Sequence, residues 1–291
     1  MNAIITTAFH SGLGDMYVGL YQIYYLQNEL KRIGYNVKTI IDLGVSPYKK
    51  SGPNRDVFKK IFKLELLDNL EIIIGGLGEL NSSLEKEMIL EYKYEQIHTV
   101  FVDVRSDLFN TINHIKHSWY YRDDLPKINL LSDEVIEYAE NKIKNFGNNY
   151  IGLHYRPVAS DDQRNHESDL EKYKNTIFDI LEENKNTNIF VSTSKDYVKS
   201  FLRSLNNKNI CLNDYVFPNT ADDIRELDLD DDELLIMLNE ILSDMYALSK
   251  CEKIYRIADW FSAFLSFSCL YNQTAVSNKN RFIPNYPIIS I

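Results

Sequence analysis

The sequence predicts an α/β protein made of two doubly wound domains. Three observations carry that expectation. The chain opens as strand, glycine turn, helix, strand, which is the start of a βαβ unit. A second alternating series of strands and helices begins near Ser132. At 291 residues the chain is also long for one hydrophobic core.

The elements follow in order. Ala3 to Phe9 reads as a first strand, Ser11-Gly12-Leu13-Gly14-Asp15 as a turn, and Met16 to Ile33 as a helix ended by Gly34. Asn36 to Asp42 is a second strand. Arg55 to Leu64 reads as helix, Leu70 to Gly75 as strand, Leu84 to Tyr92 as helix and His98 to Val104 as strand. Leu125 to Leu131, with Pro126, is the expected linker, dividing a domain 1–130 from a domain 131–291. Ser132 starts a helix with Asp133 and Glu134 in its first turn, where carboxylates suit the helix dipole. A strand at 149–156, a helix at Ser168–Glu183, a strand at Asn188–Thr193, a helix at Lys195–Leu205 and a short strand at Asn209–Leu212 come next. A long apolar helix, Leu234 to Lys250, precedes a strand at Lys253–Ala258 and a helix at Phe261–Tyr271. The tail, Arg281 to Ile291, is apolar enough to pack back on the first domain.

Composition narrows the function classes. Hydrophobic residues at 44% and charged residues at 25% describe an ordinary soluble globular protein. A net charge of −10 argues against nucleic acid and anionic membrane surfaces as partners. Cys211, Cys251 and Cys269 have no Cys-x-x-Cys spacing and read as reduced, buried thiols of a cytoplasmic protein. The N-terminus lacks the basic region of a signal peptide, and no stretch reaches 18 uninterrupted apolar residues, so no membrane anchor is expected. Oligomeric state is not readable here.

Residues 149–162, NYIGLHYRPVASDD, are the centre of the chemical reading. Tyr150-Ile151-Gly152-Leu153 is a short buried strand, and Pro157, which lacks an N–H, stops its ladder. His154 and Arg156 are two apart, so in extended geometry they leave one face. A guanidinium fork with a second donor beside it suits phosphate, and open α/β sheets bind ligands beyond their carboxyl strand ends.

Other motifs carry less. The first glycine turn fails the Gly-x-Gly-x-x-Gly fingerprint, because Tyr17 stands at the third position, and no Gly-Lys-Ser/Thr follows. Two glycines still let backbone approach an anion at a helix start. His114 and His117 lack a helpful third ligand. Asp228-Leu229-Asp230 matches an Asp-x-Asp metal–nucleotide pattern, but a solvated helix start is the better reading. No metal site is expected.

Three stretches together resemble the fucosyltransferase superfamily, the α-1,2-, α-1,6- and protein O-fucosyltransferases. Ser11-Gly12-Leu13-Gly14-Asp15-Met16 resembles that group's Gly-Gly-Leu-Gly-Asn-Gln turn. His154-Tyr155-Arg156 is similar to its His-x-Arg-Arg-x-Asp motif. Asp244-Met245-Tyr246-Ala247-Leu248-Ser249-Lys250-Cys251, then Phe261-Ser262, is similar to its Asp-x-Tyr-x-Met-Ser-x-Cys helix and Ser-Ser-Phe-Ser segment. Between them, Phe190-Val191-Ser192-Thr193-Ser194 resembles a strand ending in Ser/Thr-Asp.

The resemblance implies a GT-B type fold, two Rossmann-like α/β domains facing across a cleft, with the nucleotide-sugar donor on the C-terminal side and a glycan acceptor on the N-terminal side. It implies an inverting, metal-independent glycosyltransferase with no cofactor, GDP-fucose being the favoured donor. Arg156 would contact the diphosphate with His154 in support, Asp244 would face the base and Ser262 would contact phosphate. Gly12 and Gly14 would let the first loop approach the donor. Ser192, Thr193 and Ser249 would complete the donor site. A carboxylate would deprotonate the acceptor hydroxyl. Asp15 and Asp161 are the candidates ahead of His10, and the choice stays open. Three departures leave the donor open too. Pro157 replaces the second Arg, Asp161 lies seven residues after His154 instead of five, and Asp259-Trp260 replaces the Ser-Ser pair. A UDP-sugar donor, a metal-using enzyme built on Asp228 and Asp230, and a non-catalytic sugar-binding relative are the alternatives.

Overall fold

A computed structural model describes residues 2–8, 13–43, 55–76, 88–93, 96–101, 128–147, 149–155, 167–213, 228–257 and 288–290. The chain divides into two compact units. One comprises Met1–Ser132 with Asp228–Leu235, the other Asp133–Leu227 with Ile236–Ile291.

The first unit is a five-stranded sheet of order β3-β2-β1-β4-β5. Strands β1 (Asn2–Ala8), β2 (Asn36–Asp42), β3 (Leu70–Ile73) and β4 (Met88–Lys93) run parallel, and β5 (Gln96–Phe101) returns antiparallel along β4. Helix α1 (Leu13–Arg32) connects β1 to β2. It ends where Gly34 takes φ +93°. There Tyr35 N–H reaches Leu30 O and Gly34 N–H reaches Lys31 O, the paired bonds of a Schellman stop. Two polar side chains buried on α1 tie down distant backbone. Gln27 donates to Leu66 O at 2.8 Å and accepts from Asp68 N–H at 3.1 Å. The Tyr17 hydroxyl donates to Ile128 O and accepts from Leu130 N–H. Helix α2 (Arg55–Ile61) is followed by a 3-10 turn at Leu64–Leu66.

The second unit repeats the plan. Its sheet has order β10-β9-β6-β7-β8, all parallel. The strands are β6 (Tyr150–Tyr155), β7 (Asn188–Ser192), β8 (Ile210–Leu212), β9 (Lys253–Ile257) and β10 (Ile288–Ser290). The helices are α3 (Asp133–Ile143), α4 (Glu167–Glu183), α5 (Asp196–Ser204) and, from Ile236 onward, α6 (Asp231–Ser249). Every residue of β6 is buried, as expected for a central strand covered on both faces. Ile151, Leu153 and Tyr155 pack with Ile177 and Ile180 of α4 and Val198 and Leu202 of α5. Tyr150 packs with Phe190 on the opposite face, against Ala247 and Leu248 of α6. Both sheets therefore carry the 3-2-1-4-5 order of a Rossmann-like sheet, with a switch point beside the first strand of each.

Several expectations are corrected. Met88–Tyr92, expected as part of a helix at Leu84–Tyr92, belongs to strand β4, because that segment pairs with β1 on one side and β5 on the other. Helix α1 begins at Leu13, so Gly14 and Asp15 lie in its first turn instead of in a preceding loop. The described part of the expected linker is anchored to the first unit: Leu131 bridges to Phe62, and Lys63 N–H bonds Leu130 O at 2.8 Å. The described part of the tail, Ile288–Ser290, pairs with β9 in the second sheet. The helix expected at Phe261–Tyr271 lies outside the described residues, as do His114 and His117. Among the described residues no helix is long and apolar enough to cross a membrane.

Gly152 is where sheet and helix come closest. A Cβ there would lie 2.7 Å from Leu248 Cδ2 and 2.8 Å from Cys251 Sγ. Gly152→Ala should lower stability to urea by about 1–3 kcal/mol through overpacking. The loss should shrink in a Leu248→Ala background, where the obstructing methyl is gone. Additive losses in that double-mutant cycle would show that the contact does not set the packing.

Candidate functional site

The site is built from the carboxyl ends of the second sheet. Side chains alternate along a strand, so Tyr150, Gly152 and His154 share the face of β6 that meets α6. In register, His154 stands beside Ser192 on β7 and Arg256 on β9. Neighbouring strands are roughly 4.8 Å apart, so three polar residues form one row across three strands. All are buried, at 4, 4 and 5% exposure for His154, Ser192 and Arg256.

Helix α6 brings Asp244 to the same height. Leu248 lies against Gly152, and Asp244 is one helical turn before it, roughly 6 Å along the axis. His154 is two residues beyond Gly152, roughly 6.6 Å along the strand. Asp244 is hydrogen-bonded by Ser192 and accepts from Asn213 Nδ2 at 2.6 Å. Asn213 follows β8 directly, so this contact also lies at a carboxyl strand end.

A cluster of charges surrounds this carboxylate. Lys142 of α3 bridges to Glu240, donates to Ser243 Oγ at 2.8 Å and lies 3.7 Å from Asp244 Oδ1. Tyr138 donates to Glu240 as well. Lys199 of α5 is fully buried. Burial pushes Asp244 up to about 7, with Glu240 adding to it, while Lys142, Ser192 and Lys199 pull the other way. Burial lowers Lys199 in turn, against the charges of Asp244 and Asp196. Asp244 Oδ1 and Asn213 Oδ1 are buried and accept no hydrogen bond from the described residues.

The expected residues divide into groups. His154, Ser192 and Asp244 are brought together as described. Thr193 is buried immediately after β7, where its Oγ1 accepts from Lys195 N–H at the start of α5. Ser249 is not brought to this end. It closes α6 just before β9, and its hydroxyl donates to Tyr246 O at 2.6 Å, an ordinary helix back-bond. Gly14 and Asp15 belong to the first turn of α1 in the first unit. Gly12, Arg156, Asp161 and Ser262 lie outside the described residues. Arg156 follows the last residue of β6 directly.

Asp230 acts at a helix start, and Asp228 lies exposed just before it. Asp230 Oδ1 accepts from Glu233 N–H at 2.9 Å and Glu233 Oε2 accepts from Asp230 N–H at 3.1 Å, a reciprocal capping box. No group of three metal-ligating side chains occurs among the described residues. At the carboxyl end of β2, the buried Asp42 accepts from Gly75 N–H at 2.7 Å and so holds the chain leaving β3.

Solved structures resemble this chain over nearly its full length. NodZ alpha-1,6-fucosyltransferase soaked with GDP-fucose superposes with a TM-score of 0.54 at 13% identity, covering 93% of each chain. Fucosyltransferase NodZ from Bradyrhizobium gives 0.53 at 14% identity, over 95% of this chain and 93% of that one. NodZ co-crystallised with GDP gives 0.52 at 14%, over 92% of each. The fold is of GT-B type. Identities this low establish the fold alone. No family model matches the sequence, and no curated sequence matches it either.

Within this GT-B fold Asp244 yields a pH prediction. Its folded value is raised from an ordinary 3.8 to about 7, so between those limits the native state holds a proton that the unfolded chain has lost. Stability therefore falls as pH rises through that window, by up to roughly 4 kcal/mol from this group. Asp244→Asn should match the wild type near pH 4 and exceed it by that margin near pH 8. Parallel urea-stability curves over pH 4–8 would show instead that Asp244 titrates as an ordinary carboxyl.

Proposed function

We propose that this protein is an inverting, metal-independent glycosyltransferase that moves a sugar from a nucleoside-diphosphate donor to a glycan acceptor. GDP-fucose is the favoured donor, and the protein acts in the cytoplasm without a cofactor. One observation carries the reading: in a GT-B fold, the switch point of the second sheet carries His154 near the carboxyl end of β6, with Ser192 and Arg256 in register beside it and Arg156 two residues further along the chain. Carboxyl strand ends at a switch point are where open α/β sheets take their ligands.

In this reading the C-terminal domain holds the donor and the N-terminal domain the acceptor. Charge builds on the diphosphate as the glycosidic bond breaks, and fixed donors stabilise it. Arg156 is the main one, with His154, Thr193 and Ser262 around it. The base lies toward Asp244 and Asn213, whose buried acceptor oxygens suit the paired N–H donors of a guanine edge. Gly12 and Gly14 let backbone approach the donor at the start of α1, and Asp15 or Asp161 takes the proton of the attacking hydroxyl. The changes at Pro157, Asp259 and Trp260 favour a second reading, the same fold with another donor such as a UDP-sugar or with binding alone.

A thermal-shift screen with GDP, UDP, CDP and ADP, repeated with a chelator, separates these readings. A chelator-independent rise with GDP is expected. A rise with UDP instead would move the donor, binding without turnover would leave a non-catalytic relative, and silence with all four would sink the transferase reading. With the donor in hand, Arg156→Ala should cost about 100-fold or more in kcat with a small change in melting temperature. Unchanged turnover would remove Arg156 from the site.

A further inference from the structure

Lys142 stands in the last turn of α3, where sequence marks no more than a cation suited to a helix end. The fold sets its side chain against α6 and leaves it 18% exposed. There it bridges to Glu240, donates to Ser243 Oγ at 2.8 Å and lies 3.7 Å from Asp244 Oδ1. Tyr138, one turn earlier on α3, donates to the other oxygen of Glu240. Glu240 and Asp244 are four apart, so their carboxyls leave one face of α6 a turn from each other. Like charges at that spacing repel, and Lys142 is the cation that α3 supplies to both.

An ion pair that only docked α3 on α6 would need Glu240 alone. The approach to Asp244 is what the geometry adds. At 3.7 Å the ammonium acts on that carboxyl as a charge, while its hydrogen bonds to Glu240 and Ser243 hold it in place. Asp244 takes its own hydrogen bonds from the strand ends, through Asn213 and Ser192. The other ionisable groups facing this cluster, among the described residues, are Lys199 of α5 and, in the row at the strand ends, His154 of β6 and Arg256 of β9. Lys142 favours the ionised form of Asp244 and Glu240 opposes it, so the two members of one ion pair act on Asp244 in opposite directions.

We propose that Lys142 is a positioning residue of the donor site, which holds the carboxylate of Asp244 ready to accept the N–H groups of the nucleotide base. This rests on the glycosyltransferase reading above, in which the base lies toward Asp244, and adds the group that sets that contact. An ionised carboxylate only accepts, whereas a protonated one gives up part of that capacity. The common bases all carry an N–H donor on their pairing edge.

The test compares Lys142→Met, Lys142→Arg and Glu240→Gln with the wild type. The ligands are whichever of GDP, UDP, CDP and ADP binds best, measured by calorimetry, and its parent nucleoside, measured by NMR titration, both between pH 5 and pH 8. Wild-type affinity should rise as Asp244 ionises, around pH about 7. Lys142→Met keeps the stem without the charge and should move that rise upward by about one pH unit or more, weakening diphosphate and nucleoside alike. Lys142→Arg keeps the charge and should stay nearer the wild type. Glu240→Gln should move the rise downward, whereas a merely structural ion pair would respond in one direction to the loss of either partner. Glu240→Gln also serves if Lys142→Met fails to fold. Shifts of one sign in both variants, no shift in a folded variant, or a loss confined to the diphosphate would overturn the assignment and leave the transferase reading intact. A wild type that binds none of the four diphosphates would overturn both.

Discussion

The close seating of α6 on the second sheet governs much of what surrounds it. Gly152 leaves room for Leu248 and Cys251, so the helix can lie near the middle of β6. That contact fixes the height of α6 along the strands. The rises of helix and strand then place Asp244 level with His154 and Ser192. A bulkier residue at 152 would push the helix out and break a row of polar contacts several ångströms away. The Tyr150 hydroxyl, donating to Ala247 O at 2.6 Å, holds the same helix from below.

The polar groups this packing encloses are expensive to bury. Asp244, Lys199 and Arg256 are each buried, and Lys142 with Glu240 forms a half-sealed ion pair beside them. Desolvation outweighs attraction for two of these groups, which is why Asp244 rises and Lys199 falls toward their neutral forms. Well-packed apolar residues of similar volume would often stabilise the fold as much or more. Lower in the same layer, the contacts are apolar: Tyr150, Phe190, Leu248 and Ile254.

The two units use one plan with different edges. Each sheet has the order 3-2-1-4-5 in its own strands. The first ends in an antiparallel strand, β5, linked to β4 by only two residues, whereas the second is parallel throughout. A hairpin needs only a short turn, while each parallel step needs a crossover, here supplied by α4, α5 and α6. Every crossover delivers a fresh strand end and helix start to the same side of the sheet. The parallel sheet is accordingly where His154, Ser192, Thr193, Asn213 and Arg256 collect.

Local chemistry made much of this legible in the chain itself. Apolar β-favouring runs gave β2, β6, β7 and β9 nearly to the residue. Gly34 marked the stop of α1, and Asp133 and Glu134 the start of α3. The capping of α6 by Asp230 and Glu233 was visible as an acidic run before an apolar one. His154 was readable because a strand and the proline that ends it lie within one short stretch. What was not legible depended on distant partners. Met88 to Lys93 is rich in helix formers, and only pairing with β1 makes it a strand. Asn213, Lys142 and Lys199 join Asp244 from three elements far apart in sequence. Arg256 left a faint sign, a charge within an apolar strand, but its place beside His154 came only from register. Sequence fixes local conformation because propensity and capping act over a few residues. Which side chains meet is decided by strand order and helix height, and those exist only in the folded chain.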